Sequence, residues 1–244
     1  MAGIWSTASI SLKCTIVSNV VFWPLALLGL YVDHLAASGS FPPLTQFKVQ
    51  PNRHLSRRER VDLILLAAFN MLVVAPIICC PIFEAMWNCI QGSARRDEAD
   101  EWRWIQELVV KMPIHAIIAE LWFYAVHVLL HCSAFLYGTI HKVHHRFKSP
   151  TAMACVYAHP LEFAIGNILP IFIGPAVTNA HPWTCYLFWF PGAMVGTLKG
   201  HCGYKMPWLG KDPHDDHHLH FNCNYGGMAI ADMMFGTYRK SKSI

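Results

Sequence analysis

ELWFYAVHVLLHCSAFLYGTIHKVHH, residues 120–145, is the stretch on which the reading of this chain turns. It carries five histidines, His127, His131, His141, His144 and His145, spaced H-x3-H and then H-x2-H-H. Residues three and four apart share a helix face, so His127 and His131 stack one turn apart and can grip one ion. Adjacent helical residues diverge by roughly 100°. His144 and His145 therefore do not converge easily on one ion, and an H-x2-H-H box suits two neighbouring ions. The same box recurs as His214, His217 and His218, with His201 between the two. The expectation is a two-metal centre held by these nine of the chain's 15 histidines. Imidazole suits zinc, copper, iron and nickel. Structural zinc usually takes four ligands, often thiolates, so nine histidines exceed one zinc site. Nitrogen-rich iron with open positions is an arrangement that activates dioxygen.

Outward from this stretch the chain reads as a membrane protein. Of its 244 residues, 54% are hydrophobic and 14% charged, against about 25% charged in a soluble domain. Apolar runs at 14–32, 61–83, 105–131, 161–180 and 183–200 are long enough to be membrane segments, the last two forming a hairpin split at His181-Pro182. Pro24, Pro170, Pro175 and Pro191 predict kinks within them. The loop 33–60 is basic and 84–104 holds Asp97, Glu98, Asp100 and Glu101. Lys and Arg accumulate on the cytoplasmic side, which places 33–60 in the cytosol, 84–104 in the lumen, and His131 back on the cytosolic side. The first residues do not resemble a cleaved signal peptide. A net charge of +4, scattered along the chain, excludes a nucleic-acid surface, which needs a clustered basic stripe.

Glu120, Tyr124, His127 and His131 fall on one helical stripe. Glu120 lies two turns before His127 and is a candidate to accept a hydrogen bond from a ligand imidazole, as carboxylates behind metal ligands do. Lys111 and His115 read as interfacial. Asn224 is a candidate either to hold a metal-bound water or to cap a turn. Nine cysteines without a C-x-x-C pair suggest neither a disulfide framework nor a thiolate site, and Cys132 and Cys202 are expected outside the ligand set. His34, His54 and His181 are expected to be bystanders. With no G-x-G-x-x-G fingerprint and no C-x-x-C-H haem site, electrons for any redox chemistry must come from elsewhere.

HKVHH at 141–145, YAHPLE at 157–162, HCGYKMPW at 201–208, HDDHHLHFNCNYG at 214–226 and FGTY at 235–238 together resemble, in order, the fatty acid hydroxylase/sterol desaturase superfamily of membrane di-iron oxygenases. The resemblance runs from about residue 47 to 238. YAHPLE after HKVHH looks like the methylsterol monooxygenases and the fatty acid hydroxylase domain-containing proteins. Val128 stands where the family often has Arg, and Lys205 where some relatives carry a histidine. The resemblance implies an all-α integral membrane protein, one domain over 1–244. It would have four to five membrane helices and a cytosolic, histidine-rich helical cap over two iron ions. It also implies dioxygen as co-substrate, electrons from NAD(P)H through cytochrome b5 and its reductase, and a lipid substrate. A methyl at carbon 4 of a sterol is the first expectation. Fatty-acyl or other sterol hydroxylation or desaturation is the alternative. His159, within YAHPLE, and His220, after the last box, are expected behind the ligands or beside the substrate. The tail RKSKSI resembles a dilysine retrieval signal of the endoplasmic reticulum. A non-catalytic, metal-binding membrane scaffold of the same fold is the rival from another class, and the completeness of all three boxes speaks against it.

Overall fold

The structure, a computed structural model, describes residues 8–91, 103–205 and 212–240. The acidic stretch from Asp97 to Glu101, Pro207, Gly210 and the tail residue Lys242 lie outside them. The regular structure of the described residues is helical; no β-strand occurs among them, only one isolated bridge between Lys48 and Tyr204.

Among the described residues, four helices are long and apolar enough to cross a membrane. Helix α1 (Ile10–Ser38) opens on Ser9, whose hydroxyl accepts the Leu12 N–H, and closes on Gly39 in the left-handed region at φ 68°. A glycine pays no steric penalty there. Helix α2 (Arg57–Ile90) opens with a reciprocal capping box between Ser56 and Glu59, which satisfies two orphan donors of the first turn. Helix α3 (Arg103–Cys132) carries the first two site histidines. Helix α5 (Pro160–Val177) is the shortest of the four. Between α3 and α5 come the short α4 (Ala134–Thr139), capped by Ser133, and two 3-10 turns, His141–Arg146 and Ala152–Val156. Helix α6 begins as a π-helical stretch, Thr184–Trp189, and continues as Phe190–Gly200. Then follow α7 (Pro213–His220) and α8 (Ile230–Phe235).

The elements differ from expectation in their ends. The predicted loop 33–60 is helical at both margins, because α1 runs to Ser38 and α2 starts at Arg57. The predicted loop from 84 is helical to Gln91. The segment 183–200 is helical but is not among the four helices that meet the length and apolarity of a span. Three π-helical stretches, Asn70–Cys79, Phe163–Ile168 and Thr184–Trp189, contain a proline or end two residues before one (Pro76, Pro170, Pro191). Proline removes a donor from the ladder, and a π turn is a common way to absorb the lost register.

The core explains how a loop can be held at the centre of such a bundle. Helix α3 packs along α5, and α1 along α6. Between them the chain from Ala152 to Ala158 is buried at every residue. A buried loop must find partners for its backbone. Asn70 of α2, itself fully buried, donates from Nδ2 to the carbonyls of Val156 and Ala158, both at 2.9 Å. Gly29 of α1 makes room, since a Cβ there would press on that of Ala152. The outer surface is apolar: Val20, Leu65, Ile77 and Val109 all point outward. Water does not tolerate such a surface over a large contiguous area, and a bilayer does. His115, expected at an interface, is instead in the interior and bonds Thr178 Oγ1 at 2.7 Å. Lys111 pairs with Glu107 one turn away.

Candidate metal centre

The end of α3 presents His127 and His131 with ring centroids 5.0 Å apart. The helix ends at Cys132, α4 reverses the chain, and the 3-10 turn His141–Arg146 brings three more imidazoles back onto the same spot. His141 Nε2 lies 3.1 Å from His127 Nε2 and 2.9 Å from His131 Nε2. His145 Nε2 lies 3.0 Å from His131 Nε2 and 3.1 Å from His217 Nε2. Histidines 127, 131, 141, 145 and 217 thus offer nitrogens all within 4.8 Å of one another. A second group of the same compactness contains His144, His201, His214 and His218. All nine predicted ligands are brought together, and each pair of adjacent histidines is divided between the groups. The rings of His144 and His145 diverge by 73° and those of His217 and His218 by 81°.

Helix α7 is placed against the end of α6 by Asp212. Its carboxylate caps α7 by accepting the His214 N–H at 3.0 Å and receives Lys199 Nζ at 3.0 Å. Lys199 is two residues before His201, so this ion pair seats His201 beside His214, ring centroids 4.5 Å apart.

Five of the imidazoles are oriented from behind. His127 Nδ1 donates to the Tyr225 carbonyl at 2.6 Å, His144 Nδ1 to that of Tyr157 at 3.2 Å, His201 Nδ1 to that of Thr197 at 3.0 Å and His217 Nδ1 to that of Cys223 at 2.8 Å. The Nδ1 of His141 meets Glu162 Oε1 at 2.7 Å. A carbonyl accepts only, so it fixes the proton on Nδ1 and leaves Nε2 as a bare lone pair. His144 Nε2 and His201 Nε2, both bare, nevertheless face each other at 3.3 Å. Both nitrogens of His214 and of His218 are buried with no hydrogen-bond partner among the described residues. Lone pairs converging on one point, in buried rings that lack other partners, are what a cation corrects. The residues fit a metal in each group.

Burial also keeps these rings in their ligating, neutral form. Burial first, and neighbouring imidazoles second, hold His144 and His217 down at about 3, and burial holds His201 at about 4, against an ordinary value near 6.5. His141, His145, His214 and His218 are lowered by the same two causes.

The residues expected behind the ligands are placed differently. Glu120 has no hydrogen bond to an imidazole among the described residues; its carboxylate accepts backbone N–H groups of Gly227, Met228 and Ala231. The carboxylate that meets a ligand is Glu162, on another helix, whose second oxygen has no partner among the described residues. Tyr124 bonds Thr237 through its hydroxyl at 3.1 Å and stacks on Phe235. Asn224, fully buried at φ 54°, donates to the carbonyls of Pro213 and Arg239 and accepts the Arg239 N–H. It therefore pins the chain after α7, and its turn role is the one realised. His159 caps α5 by accepting the Leu161 N–H, and His220 is exposed. His34, His54 and Cys132 are exposed and Cys202 half-buried, and all four lie outside both groups. Sequence reading missed Tyr225, whose ring lies 5.3 Å from that of His131 and 5.2 Å from that of His217.

A cavity of about 560 Å³ ends on this centre. His127, His141, His144, His201 and His214 form its polar end, and Met112, Phe123, Val126, Ile171 and Trp189 contribute to apolar walls. Gly192 and Gly196 of α6 also line it, and a Cβ at either would meet nothing within 4 Å. Their bareness serves the width of the cavity, not helix packing.

Residues 112–237 match the fatty acid hydroxylase family. The chain is 38% identical over 143 residues to fatty acid hydroxylase domain-containing protein 2 of Homo sapiens, covering 58% of this chain and 41% of that protein. It is 34% identical over 224 residues to fatty acid hydroxylase ahd1 of Mycosarcoma maydis, covering 90% and 56%. It is 31% identical over 212 residues to a putative methylsterol monooxygenase of Dictyostelium discoideum, covering 82% and 74%. The chain thus spans 41% and 56% of the length of the first two. No solved structure matches it.

Proposed function

The chain belongs to the fatty acid hydroxylase family, and from that premise we propose that it is an iron-dependent, dioxygen-using lipid monooxygenase of the endoplasmic-reticulum membrane. The observation that carries the reading is the pair of buried imidazole groups at the end of an apolar cavity. Histidines 127, 131, 141, 145 and 217 would hold one iron ion, and histidines 144, 201, 214 and 218 the other. When bound, the two ions supply dioxygen activation, the chemistry needed to oxidise an unactivated C–H bond.

The chain's own residues do the rest. The four backbone carbonyls and Glu162 hold five rings so that Nε2 faces inward. The apolar walls take a hydrocarbon substrate and exclude water, which strengthens every electrostatic interaction at the polar end. The walls orient one carbon of the substrate toward the histidines. The substrate we assign is a sterol with a methyl at carbon 4, oxidised during sterol biosynthesis. The similarity to a protein named as a methylsterol monooxygenase supports that choice. A fatty-acyl chain is the second reading, supported by the similarity to a protein named as a fatty acid hydroxylase.

Cytochrome b5 and its reductase would deliver electrons from NAD(P)H. That route requires the histidines and the C-terminus on the cytosolic side, where the basic loop between α1 and α2 also belongs. Residues 1–244 would act as one domain. Two measurements test the reading. Elemental analysis of detergent-purified protein should find about two iron ions per chain, as two-metal sites require. Lipid analysis of membranes with and without the protein should show one precursor accumulating in its absence. Active protein holding one ion or none would overturn the two-metal reading. An accumulating acyl lipid in place of a 4-methylsterol would select the second substrate.

A further inference from the structure

The segment GGMAIADMMFGT, residues 226–237, contains one charged residue, Asp232, and that residue is wholly buried. The Asp232 carboxylate accepts the N–H groups of Tyr225 and Gly226, each at 2.7 Å, and the Thr237 hydroxyl at 2.6 Å. The next donors go to Glu120 of α3: the N–H groups of Gly227 and Met228 at 2.9 Å and that of Ala231 at 3.1 Å. Gly226 is required at this contact, because a Cβ would overlap Glu120 Oε1. One turn along α3, Tyr124 stacks on Phe235 with centroids 5.2 Å apart. The segment is therefore docked lengthwise on α3 at the level of Glu120 and Tyr124.

That level can be placed in a bilayer. The apolar span of α3, Trp104–Cys132, has 29 residues, about 43 Å at 1.5 Å per residue. The hydrocarbon core is about 30 Å thick, roughly 20 residues of helix. Every window of about 20 residues that fits inside 104–132 contains Glu120. However α3 slides along its axis, Glu120 and the amides it holds stay at hydrocarbon depth. Irregular backbone survives there only where protein satisfies its polar groups, and the two carboxylates take five N–H groups here, those of residues 225–228 and 231. The side chains left facing outward are Met228, Ile230, Met233, Met234 and Phe235, each 39–64% exposed. Helix α3 exposes Ile117 and Leu121 at the same height.

We infer that residues 226–237 form a re-entrant segment immersed in the acyl chains of the bilayer, not part of an aqueous cap. Gly227 and Met228 also line the cavity, so the segment is the rim between cavity and lipid, and a lipid molecule enters past it. This placement follows from the depth of α3 and does not depend on the oxidative chemistry.

The test uses the full chain in nanodiscs of phosphatidylcholine with ordinary or mid-chain brominated acyl groups. A dansyl amino acid replaces Met234 in one sample and Met233 in another, with controls at Leu121 on α3 and at the exposed Arg53. The expected result is quenching by brominated lipid at 234 and 233 to the extent seen at Leu121, with little quenching by aqueous iodide. Iodide quenching like that at Arg53 would overturn the inference. So would shielding from both quenchers, which would mean a second copy of the chain or another protein covers the segment. If one labelled sample does not assemble into monodisperse nanodiscs, the other position decides.

Discussion

The two imidazole groups sit side by side and differ in how they are built. The first hangs on α3, a long apolar helix that supplies His127 and His131, and one of its rings is braced by the Glu162 carboxylate. The second draws nothing from α3. Its four rings are all buried and come from the 3-10 turn, the end of α6 and α7, held together by the Lys199–Asp212 ion pair. Each H-x2-H-H box contributes to both groups, so neighbouring residues serve different sites. The lesson is that a box is not a site. A site is assembled from two rings of one box, one ring of the other, and whatever the ends of α3 or α6 present.

The strongest way to break this comparison is to remove neighbours one at a time. His217→Ala should empty only the first group and His218→Ala only the second, each leaving about one ion of a two-metal centre. Turnover should fall on the order of 10²-fold or more, beyond what is usual for residues behind the ligands. Alanine at His201 should behave like His218→Ala. Loss of both ions from either single variant would show that the groups are not separable. Metal analysis of purified variants reads this directly.

Glu162 offers a sharper and smaller cut. Its loss should weaken metal binding in the first group by about 10- to 100-fold and leave the second unchanged. Glu162→Gln retains an acceptor for His141 Nδ1 and should recover part of the loss that Glu162→Ala shows. Competition with a chelator measures both. Equal weakening of the two groups would contradict the assignment.

Protons should act on both groups alike. The folded values for His144, His217 and His201, about 3, 3 and 4, lie below the unfolded value near 6.5. Between these limits the unfolded chain binds more protons, so stability rises with pH. Metal-stripped protein should therefore melt at a lower temperature at pH 5 than at pH 8, with the loss beginning as pH falls through about 6.5. An unchanged melting temperature would refute the burial of neutral rings.

The smallest effects belong to the two histidines that the sequence placed near the site. His159→Ala removes only a helix cap, worth about 1 kcal/mol. His220→Ala changes an exposed side chain and should stay within about 0.5 kcal/mol. Neither should alter metal content. A loss of an ion in His220→Ala would move that residue into the site.

Much of this was legible in the chain. Helical periodicity showed that adjacent histidines diverge, which is a local property of 3.6 residues per turn and survives into the 3-10 turn at 141–146. Apolar run length located four helices, because hydrocarbon thickness sets a minimum length that composition alone reports. Helix ends were less legible: Asp33–Ser38 remains helical because capping at Gly39, not polarity, ends α1.

The carboxylates show where such reasoning stops. Glu120 shares a stripe with His127, so local periodicity made it a candidate to accept a hydrogen bond from a ligand imidazole. The packing of residues 226–231 against α3 gave it backbone amides instead. Glu162 lies 21 residues from His141, a separation across which no helical or strand period carries information. The sequence by itself determined the clustering of nine histidines, the divergence of adjacent ones and the apolar helices around them, since all three follow from spacing and composition over a few turns. Only the tertiary structure decided which carboxylate meets an imidazole, which carbonyls fix the tautomers and which residues shape the cavity. Those are contacts between segments distant in the chain, set by how the helices pack.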